Sequence, residues 1–246
     1  TAYTVGGYGG QFRILTNDPL QDTITVKVSM DIFDVPTPVI AFYKNRAYPS
    51  YYEMMIVDSL GMIDSLVVTY SGLEVELTTV DTFSYVAVVE VSEEGLNAFE
   101  VYASNWVGDT TITVNVTVSL LKQGSGWLAR SPDEQFEIKG GSNSAAKSTR
   151  IAILDSMLSA NADASYKVLT DGVVLAEHVL VSMPVLTNDQ AIYIRDVSGD
   201  YVELASVSNG ERVSAWTATL GAFKLGPRTI IVPEKSQLSR NYPNPF

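Results

Sequence analysis

The chain lacks cysteine and has one histidine, His178, among its 246 residues. Without cysteine the fold gains nothing from disulfides, and one histidine cannot complete the tetrahedral ligand set that zinc prefers. A serine–histidine–aspartate triad would have to use His178, but the sequence has no Gly-x-Ser-x-Gly turn of the kind that presents a nucleophilic serine. We therefore predict no catalytic residue and no enzymatic activity in this chain, while a catalytic domain upstream of it is compatible with the sequence.

Basic side chains are few, since 16 lysines and arginines stand against 28 aspartates and glutamates and leave a formal net charge of −12. A charge of that size repels nucleic acid and anionic lipid, so we predict neither as a partner. No apolar run is long enough to span a membrane, and Thr1 does not open a charged-then-apolar leader. We interpret that opening as typical of a processed or excised chain.

Alternation of apolar and polar residues runs through most of the chain and predicts half-buried strands. It is clearest at residues 111–118, whose even-numbered residues are all apolar. Turn-forming pairs such as Ser71-Gly72 and Asn209-Gly210 separate the strands at short intervals. Helical spacing is suggested only over residues 151–164, where Ser and Asn weaken it. The pattern predicts an all-β chain of sandwich domains.

The first 35 residues carry a hairpin pattern. Asn17-Asp18-Pro19 provides turn chemistry, and an alternating strand follows at residues 22–28. This order resembles the closing hairpin of an Ig-like module that is common in large bacterial surface proteins. The resemblance implies that residues 1–35 are the end of a partial Ig-like module, or a strand that docks on a neighbouring module or subunit.

Residues 36–121 begin with the stiff linker Pro36-Thr37-Pro38. The run at residues 94–109, EGLNAFEVYASNWVGD, alternates so that Phe99, Val101 and Ala103 should face inward. This run resembles a stretch of bacterial Ig-like repeats. The resemblance implies one complete Ig-like β-sandwich over residues 36–121.

A Gly/Ser-rich hinge, Lys122 to Gly126, separates that region from residues 127–228. The ending LGAFKL at residues 220–225 resembles the last strand of ZU5-like stalk modules. The resemblance implies a stalk-type β-sandwich over residues 122–228, and hence tandem Ig-like β-sandwich domains that fold separately on either side of the hinge.

The C-terminal residues alternate Asn and Pro around two aromatic rings, and each proline pushes the residue before it out of the helical region. The run, preceded by Leu238-Ser239-Arg240, resembles the opening of the C-terminal sorting domain of bacterial type IX secretion cargo. The resemblance implies a secreted or cell-surface location, the type IX secretion machinery as a partner, and residues 229–246 as a linker into a sorting domain. The residues of this sorting signal are Asn241, Tyr242, Pro243, Asn244, Pro245 and Phe246.

Calcium is the one ion that the sequence offers a place for, because Ca²⁺ takes loop carboxylates and carbonyls. Asp196 and Asp200 flank a short Val-Ser-Gly loop, and residues 105–109 form a second candidate loop. Neither is the complete D-x-D-x-D-G motif. We predict no other cofactor.

Exposed aromatic rings can stack on sugars, and four tyrosines cluster around Pro49. The alternative is that aromatic side chains fill the cores, and on that ground we expect Trp127 and Trp216 to pack inside. The candidate glycan-stacking residues are Tyr43, Tyr48, Tyr51 and Tyr52.

These observations favour a non-catalytic spacer region of a secreted or cell-surface bacterial protein. Two alternatives stay open: a glycan-binding or adhesion module, and a self-assembling extracellular filament or surface-layer subunit in which residues 1–35 add a strand to a neighbour.

Overall fold

The computed structural model describes residues 6–15, 23–32, 34–44, 50–91, 93–155, 165–170, 173–187 and 189–229. Every regular element in these residues is a β-strand, so the prediction of an all-β chain is confirmed. A helix that could span a membrane is not found within the described part of the chain.

The strands are numbered in chain order. They are β1 (Gly6–Leu15), β2 (Thr23–Ile32), β3 (Val39–Lys44), β4 (Tyr51–Val57), β5 (Ser65–Tyr70), β6 (Leu73–Val75), β7 (Leu77–Asp81), β8 (Ser84–Glu90), β9 (Gly95–Ser104), β10 (Asp109–Leu121), β11 (Trp127–Arg130), β12 (Glu137–Gly140), β13 (Thr149–Asp155), β14 (Ser165–Leu169), β15 (Val179–Pro184), β16 (Gln190–Arg195), β17 (Tyr201–Glu203), β18 (Ser206–Ser208), β19 (Arg212–Thr217) and β20 (Ala222–Pro227).

The strands form four sheets. A two-stranded sheet pairs β1 with β2, and a four-stranded sheet has the order β3-β4-β8-β7. A five-stranded sheet has the order β11-β12-β15-β19-β18, and a nine-stranded sheet the order β17-β16-β20-β14-β13-β10-β9-β5-β6. The strand pairs whose register is resolved are antiparallel, from β1 with β2 to β16 with β20.

Two compact units divide the chain. The first comprises Thr1–Phe42, Met54–Val88 and Glu100–Thr113, and the second Tyr43–Glu53, Val89–Phe99 and Val114–Phe246. The domain boundaries predicted at residues 35/36, 121/122 and 228/229 lie at linker-like sequences, whereas the two compact units are defined by contacts within the structure. The two divisions of the chain therefore do not test each other, and the predicted boundaries stay predictions.

Alternation along β9 produces the burial that the sequence predicts. Phe99, Val101 and Ala103 are all fully buried, and the intervening residues Glu100 and Tyr102 are exposed. The same alternation in β10 buries its even-numbered residues from Val114 to Val118. Because side chains of a strand point to opposite faces in turn, one apolar face per strand is sufficient to build these cores.

The core of the second unit lies between two sheets. Strands β13, β14, β16 and β20 supply one half, and β11, β12, β15 and β19 the other. Phe136 is fully buried in this core and packs against Tyr166 at 5.0 Å and Phe223 at 5.3 Å between ring centroids. Two antiparallel sheets that share one apolar core make a β-sandwich.

The helical spacing suggested for residues 151–164 is wrong where the structure describes it. Thr149–Asp155 is strand β13, which pairs with both β10 and β14. Ile151 and Ile153 are fully buried in the sandwich core. Ala152 and Leu154, which alternate with them, are buried as well, so β13 is covered on both faces. A short apolar run with β-branched side chains is typical of such a buried strand. Residues 156–164 lie outside the described residues.

Strands β1 and β2 form a ribbon of their own. They pair from Gly6 opposite Ile32 to Leu15 opposite Thr23, and neither strand joins another described sheet. Phe12, with 52% of its surface exposed, lies opposite Val26 in this ribbon.

Candidate functional site

The tyrosines predicted to stack on glycan do not share one surface. Tyr51 and Tyr52 are successive residues of β4 and therefore point to opposite faces. Tyr52 is 1% exposed, so a ligand cannot reach its ring. The prediction that Tyr52 stacks on glycan is therefore wrong. Tyr51 is half-buried and its hydroxyl donates to Glu90 Oε2 at 3.2 Å. Tyr48 lies outside the described residues.

Tyr43 is the member of the set that remains at a surface. It lies on β3 with 44% of its area exposed, and the Lys167 ammonium sits 4.5 Å from the centroid of its ring. The neighbouring Lys44 donates from Nζ to the backbone oxygen of Arg150 at 3.0 Å. Cations over an aromatic face are attracted to it, so the structure associates Tyr43 with a cation of β14 and not with Tyr51 or Tyr52.

The Asp196–Asp200 loop, predicted as a calcium site, is the tight turn between β16 and β17. Asp196 Oδ1 accepts hydrogen bonds from the backbone N–H groups of Ser198 at 2.9 Å and Asp200 at 3.0 Å. The Ser198 hydroxyl reaches both carboxylates, at 2.6 Å from Asp196 Oδ1 and 3.0 Å from Asp200 Oδ2. The hydroxyl of Ser198, followed by backbone N–H groups, lowers the pKa of Asp196. The carboxylates are thus used to close the turn, and calcium binding there stays a prediction.

The same turn positions a cation. Arg195 ends β16, and its Nε donates to the backbone oxygen of Gly199 at 2.8 Å. Gly199 has a φ of +96°, and a Cβ added there would lie 3.4 Å from Arg195 Nη2. Glycine therefore satisfies both the backbone conformation and the close approach of the guanidinium.

Three cations lie on one outer face of the nine-stranded sheet. Ile192, Ile194, Tyr166, Val168, Phe223 and Leu225 point into the core, so the residues that alternate with them point outward. The outward residues include Arg195 on β16, Lys224 on β20 and Lys167 on β14, which are consecutive strands of the sheet.

Tyrosine rings flank these cations. Lys224 Nζ lies 4.6 Å from the centroid of Tyr201 and 6.0 Å from that of Tyr193. Tyr201 is the cross-strand partner of Arg195, and Tyr193 that of Lys224. With Tyr43 over Lys167, the cations and rings form one surface, which we call the basic face: Tyr43, Lys167, Tyr193, Arg195, Tyr201 and Lys224.

The charge of the basic face is only partly compensated. Burial, and then the charge of Arg195, lower the pKa of the Lys167 ammonium. Glu203 lies at the edge of the face on β17, where its carboxylate accepts from the Tyr193 hydroxyl at 3.3 Å and from the Thr229 backbone N–H at 2.7 Å. Neither Arg195 nor Lys224 makes an ion pair with a carboxylate among the described residues.

The remaining candidates are placed apart from the basic face. His178 is exposed just before β15, and among the described residues it makes no hydrogen bond. The described part of the chain contains no group of three or more His, Cys, Asp or Glu side chains that could hold a metal ion. Asn105 closes its own loop, since its Oδ1 accepts from the backbone N–H groups of Val107 at 2.8 Å and Gly108 at 3.1 Å.

The tryptophans divide between core and surface. Trp127 is buried, as predicted, whereas Trp216 is 62% exposed and its predicted burial is wrong. Strand β19 buries Val213, Ala215 and Thr217, so the intervening Trp216 points outward. The alternation of residues 212–217 in the sequence therefore predicts that Trp216 points outward.

The basic face was missed because its cations are far apart in the sequence and meet only through the order of strands β16, β20 and β14. The sorting-signal residues 241–246 lie outside the described residues. The chain matches no protein-family model, and no curated protein shows significant sequence similarity to it.

Proposed function

We propose that the chain is a non-catalytic spacer region of a secreted or cell-surface bacterial protein, with Ig-like sandwich modules that lead into a C-terminal export signal. This proposal rests on one observation: in several described loops, Asp and Asn side chains accept hydrogen bonds from backbone N–H groups of their own turn. A spacer requires well-fixed loops between strands and no convergent set of reactive groups.

Two loops of the second unit illustrate this use. Asp133 accepts hydrogen bonds from the hydroxyl of Ser131 and from the Gln135 backbone N–H at 3.0 Å, and its Oδ2 accepts from the buried Tyr166 hydroxyl at 2.8 Å. Asn209 Oδ1 accepts from the backbone N–H groups of Glu211 at 3.0 Å and Arg212 at 2.8 Å. Side chains engaged in this way are committed to turn structure.

The first unit uses the same device. The largely buried Asp58 accepts at Oδ2 from the Ile63 backbone N–H at 2.8 Å. Asn105 adds a second bond, from Nδ2 to the backbone oxygen of Asp34 at 2.9 Å. These bonds fix hairpins and connections at modest net gain, about 1 kcal/mol each.

Fractionation of the producing cells tests the proposal. An antibody raised against the chain should detect the native protein in the medium or on the cell surface, at a mass above the chain's 26.7 kDa. Deleting residues 241–246 from the native gene should retain the protein inside the cell, whereas deleting the matched hinge residues 122–126 should not. Retention of both, or of neither, would contradict an export role for the C-terminal run.

Assays of the purified chain test the non-catalytic part. We expect no turnover of peptide, ester or polysaccharide substrates. Turnover that disappears on His178→Ala would overturn the proposal, because His178 is the only histidine that a triad could use.

A second candidate function, assembly through strand addition, is favoured by the ribbon. Phe12, Ile14 and Val28 are 52%, 47% and 49% exposed, although they lie on strands that alternate in the manner of half-buried sheet. A two-stranded ribbon is marginally stable in water and gains from a partner on its face or edge. Light scattering distinguishes this function from a monomeric spacer: a self-assembling chain loses mass on deletion of residues 1–35.

A further inference from the structure

The basic face is unusual in a chain with a net charge of −12. Arg195, Lys224 and Lys167 occupy consecutive strands, and neighbouring strands lie about 4.8 Å apart. The backbones that carry these three cations therefore lie within about 10 Å of one another across the sheet. Burial, and then repulsion from the nearby charge of Arg195, lower the pKa of Lys167.

Elsewhere in the same sandwich, two arginines have a carboxylate partner. On the five-stranded sheet, Arg130 Nε lies 2.9 Å and Arg212 Nη2 3.7 Å from the carboxylate of Glu137. Arg212 also donates to Ser182 Oγ at 3.1 Å and to the Gln135 backbone oxygen at 2.8 Å. Arg130 and Arg212 thus share a carboxylate, whereas Arg195 and Lys224 of the basic face have no ion pair among the described residues and keep positive charge available to a ligand.

The nearby carboxylates do not remove this availability. Asp196 and Asp200 are turned toward Ser198 and the backbone of their own turn. Glu203 accepts from Tyr193 and Thr229 at the edge of the face. Arg195 and Lys224 are left with hydrogen-bonding and cation–π partners but without a described counter-ion.

We propose that the basic face binds an acidic polysaccharide, with the cations on its carboxylate groups and the rings of Tyr43 and Tyr201 against its sugar units. An acidic sugar has an apolar C–H face, which can stack on a tyrosine ring, and a carboxylate at its edge, which can bind a neighbouring cation. Tyr43 and Tyr201 are 44% and 37% exposed, so both rings are within reach from solvent. The proposal does not depend on export or on the spacer role.

Charge density favours a sugar polymer over nucleic acid. Duplex DNA carries one negative charge per about 1.7 Å, and the chain's own excess of acids repels such a polymer outside a small basic face. A polysaccharide with a carboxylate on alternate sugars has fewer charges to be repelled and supplies neutral rings between them. The basic face should therefore select sparse over dense polyanions.

Calorimetric titration with hyaluronan and polygalacturonate oligosaccharides in low salt tests the proposal, with a neutral chitin oligosaccharide of equal length as the reference ligand. We expect the hyaluronan oligosaccharide, whose carboxylates lie on alternate sugars, to bind at least as tightly as the polygalacturonate one, and the neutral oligosaccharide not to bind. Arg195→Gln and Lys224→Gln should each weaken binding about tenfold, since each removes one charge-assisted contact. Lys139→Gln, on an exposed position of β12, is the matched control: it makes the same change in net charge and should leave affinity unchanged.

Folding is monitored by thermal unfolding of each variant. Lys167→Met should weaken binding while its Tm stays equal to or above that of the parent chain, because it removes a partly buried ammonium and its repulsion from Arg195. No binding of either acidic oligosaccharide would overturn the proposal, as would an equal loss of affinity in Lys139→Gln. Equally tight binding of poly-glutamate would overturn the assignment of a sugar ligand, because charge alone would then be sufficient.

Discussion

The second-unit sandwich and the β1–β2 ribbon are built from the same alternating pattern, but only the sandwich has its apolar face covered. Phe136 is fully buried between two sheets, whereas Phe12 is 52% exposed on a sheet of two strands. Period-two alternation thus specifies a strand and an apolar face, but it does not specify what lies against that face. The stability of each region should therefore depend on whether a second sheet covers its apolar face, and not on the alternating pattern of its sequence.

Replacing Phe136 and Phe12 by alanine should give the largest difference between the two regions. Phe136→Ala removes the ring that contacts Tyr166 and Phe223, and we expect a loss of about 3–5 kcal/mol in the free energy of unfolding. Phe12→Ala removes a largely exposed ring and should change that free energy by less than about 0.5 kcal/mol. Urea unfolding of both variants measures the difference. Similar losses would mean that the ribbon is as well packed as the sandwich core.

A second test concerns a polar support of the sandwich. Asp133→Ala removes the acceptor of the buried Tyr166 hydroxyl and of the Gln135 backbone N–H, and should cost about 1–3 kcal/mol. Glu134→Ala is the matched control, since it removes the same charge from the same turn and should have little effect. If both variants lose stability equally, charge and not hydrogen bonding explains the role of this turn.

The ribbon is tested by a charge placed on its apolar face. Phe12→Asp should prevent a partner from covering that face, and so reduce any self-association seen by light scattering. The unfolding of the sandwich should change by less than about 0.5 kcal/mol, because the ribbon joins none of its described sheets. Arg13→Asp, on the adjacent and opposite-facing position, is the control. If the parent chain, Phe12→Asp and a 36–246 truncation each have the mass of their own monomer, assembly through the ribbon is wrong.

Local pattern predicts the strands of this protein well and the proposed binding surface poorly. The burial of Phe99, Val101 and Ala103 follows from alternation within one strand, which is legible in the sequence. The basic face depends on which strands become neighbours, and β16, β20 and β14 are brought together by connections that no local pattern encodes. Only Tyr43 of the predicted aromatic set belongs to it.

The smallest expected effect concerns the Asp196 turn. The question is whether its carboxylates stabilise the turn or bind a metal ion. The Ser198 hydroxyl, assisted by the backbone N–H groups of Asp200 and Ser198, lowers the pKa of Asp196 below its ordinary 3.8. A carboxylate with a depressed folded-state pKa contributes stability that is present above the unfolded-state pKa and is lost as pH falls through the lower folded-state value. Ser198→Ala should therefore raise the pKa of Asp196 toward 3.8 and narrow this acid-sensitive window.

NMR titration of the Asp196 carboxyl carbon measures that shift, with Ser208→Ala as the control, because Ser208 ends β18 and its hydroxyl accepts from the backbone N–H of Gly210 in another turn. Added calcium should leave the Asp196 signal unchanged if the turn is purely structural, since its Oδ1 already accepts from Ser198 and Asp200. A calcium-dependent shift that requires both Asp196 and Asp200 would instead establish the ion site that the sequence predicts. The result also bears on the basic face, because the same turn holds Arg195 through Gly199 and any rearrangement around an ion would move that guanidinium.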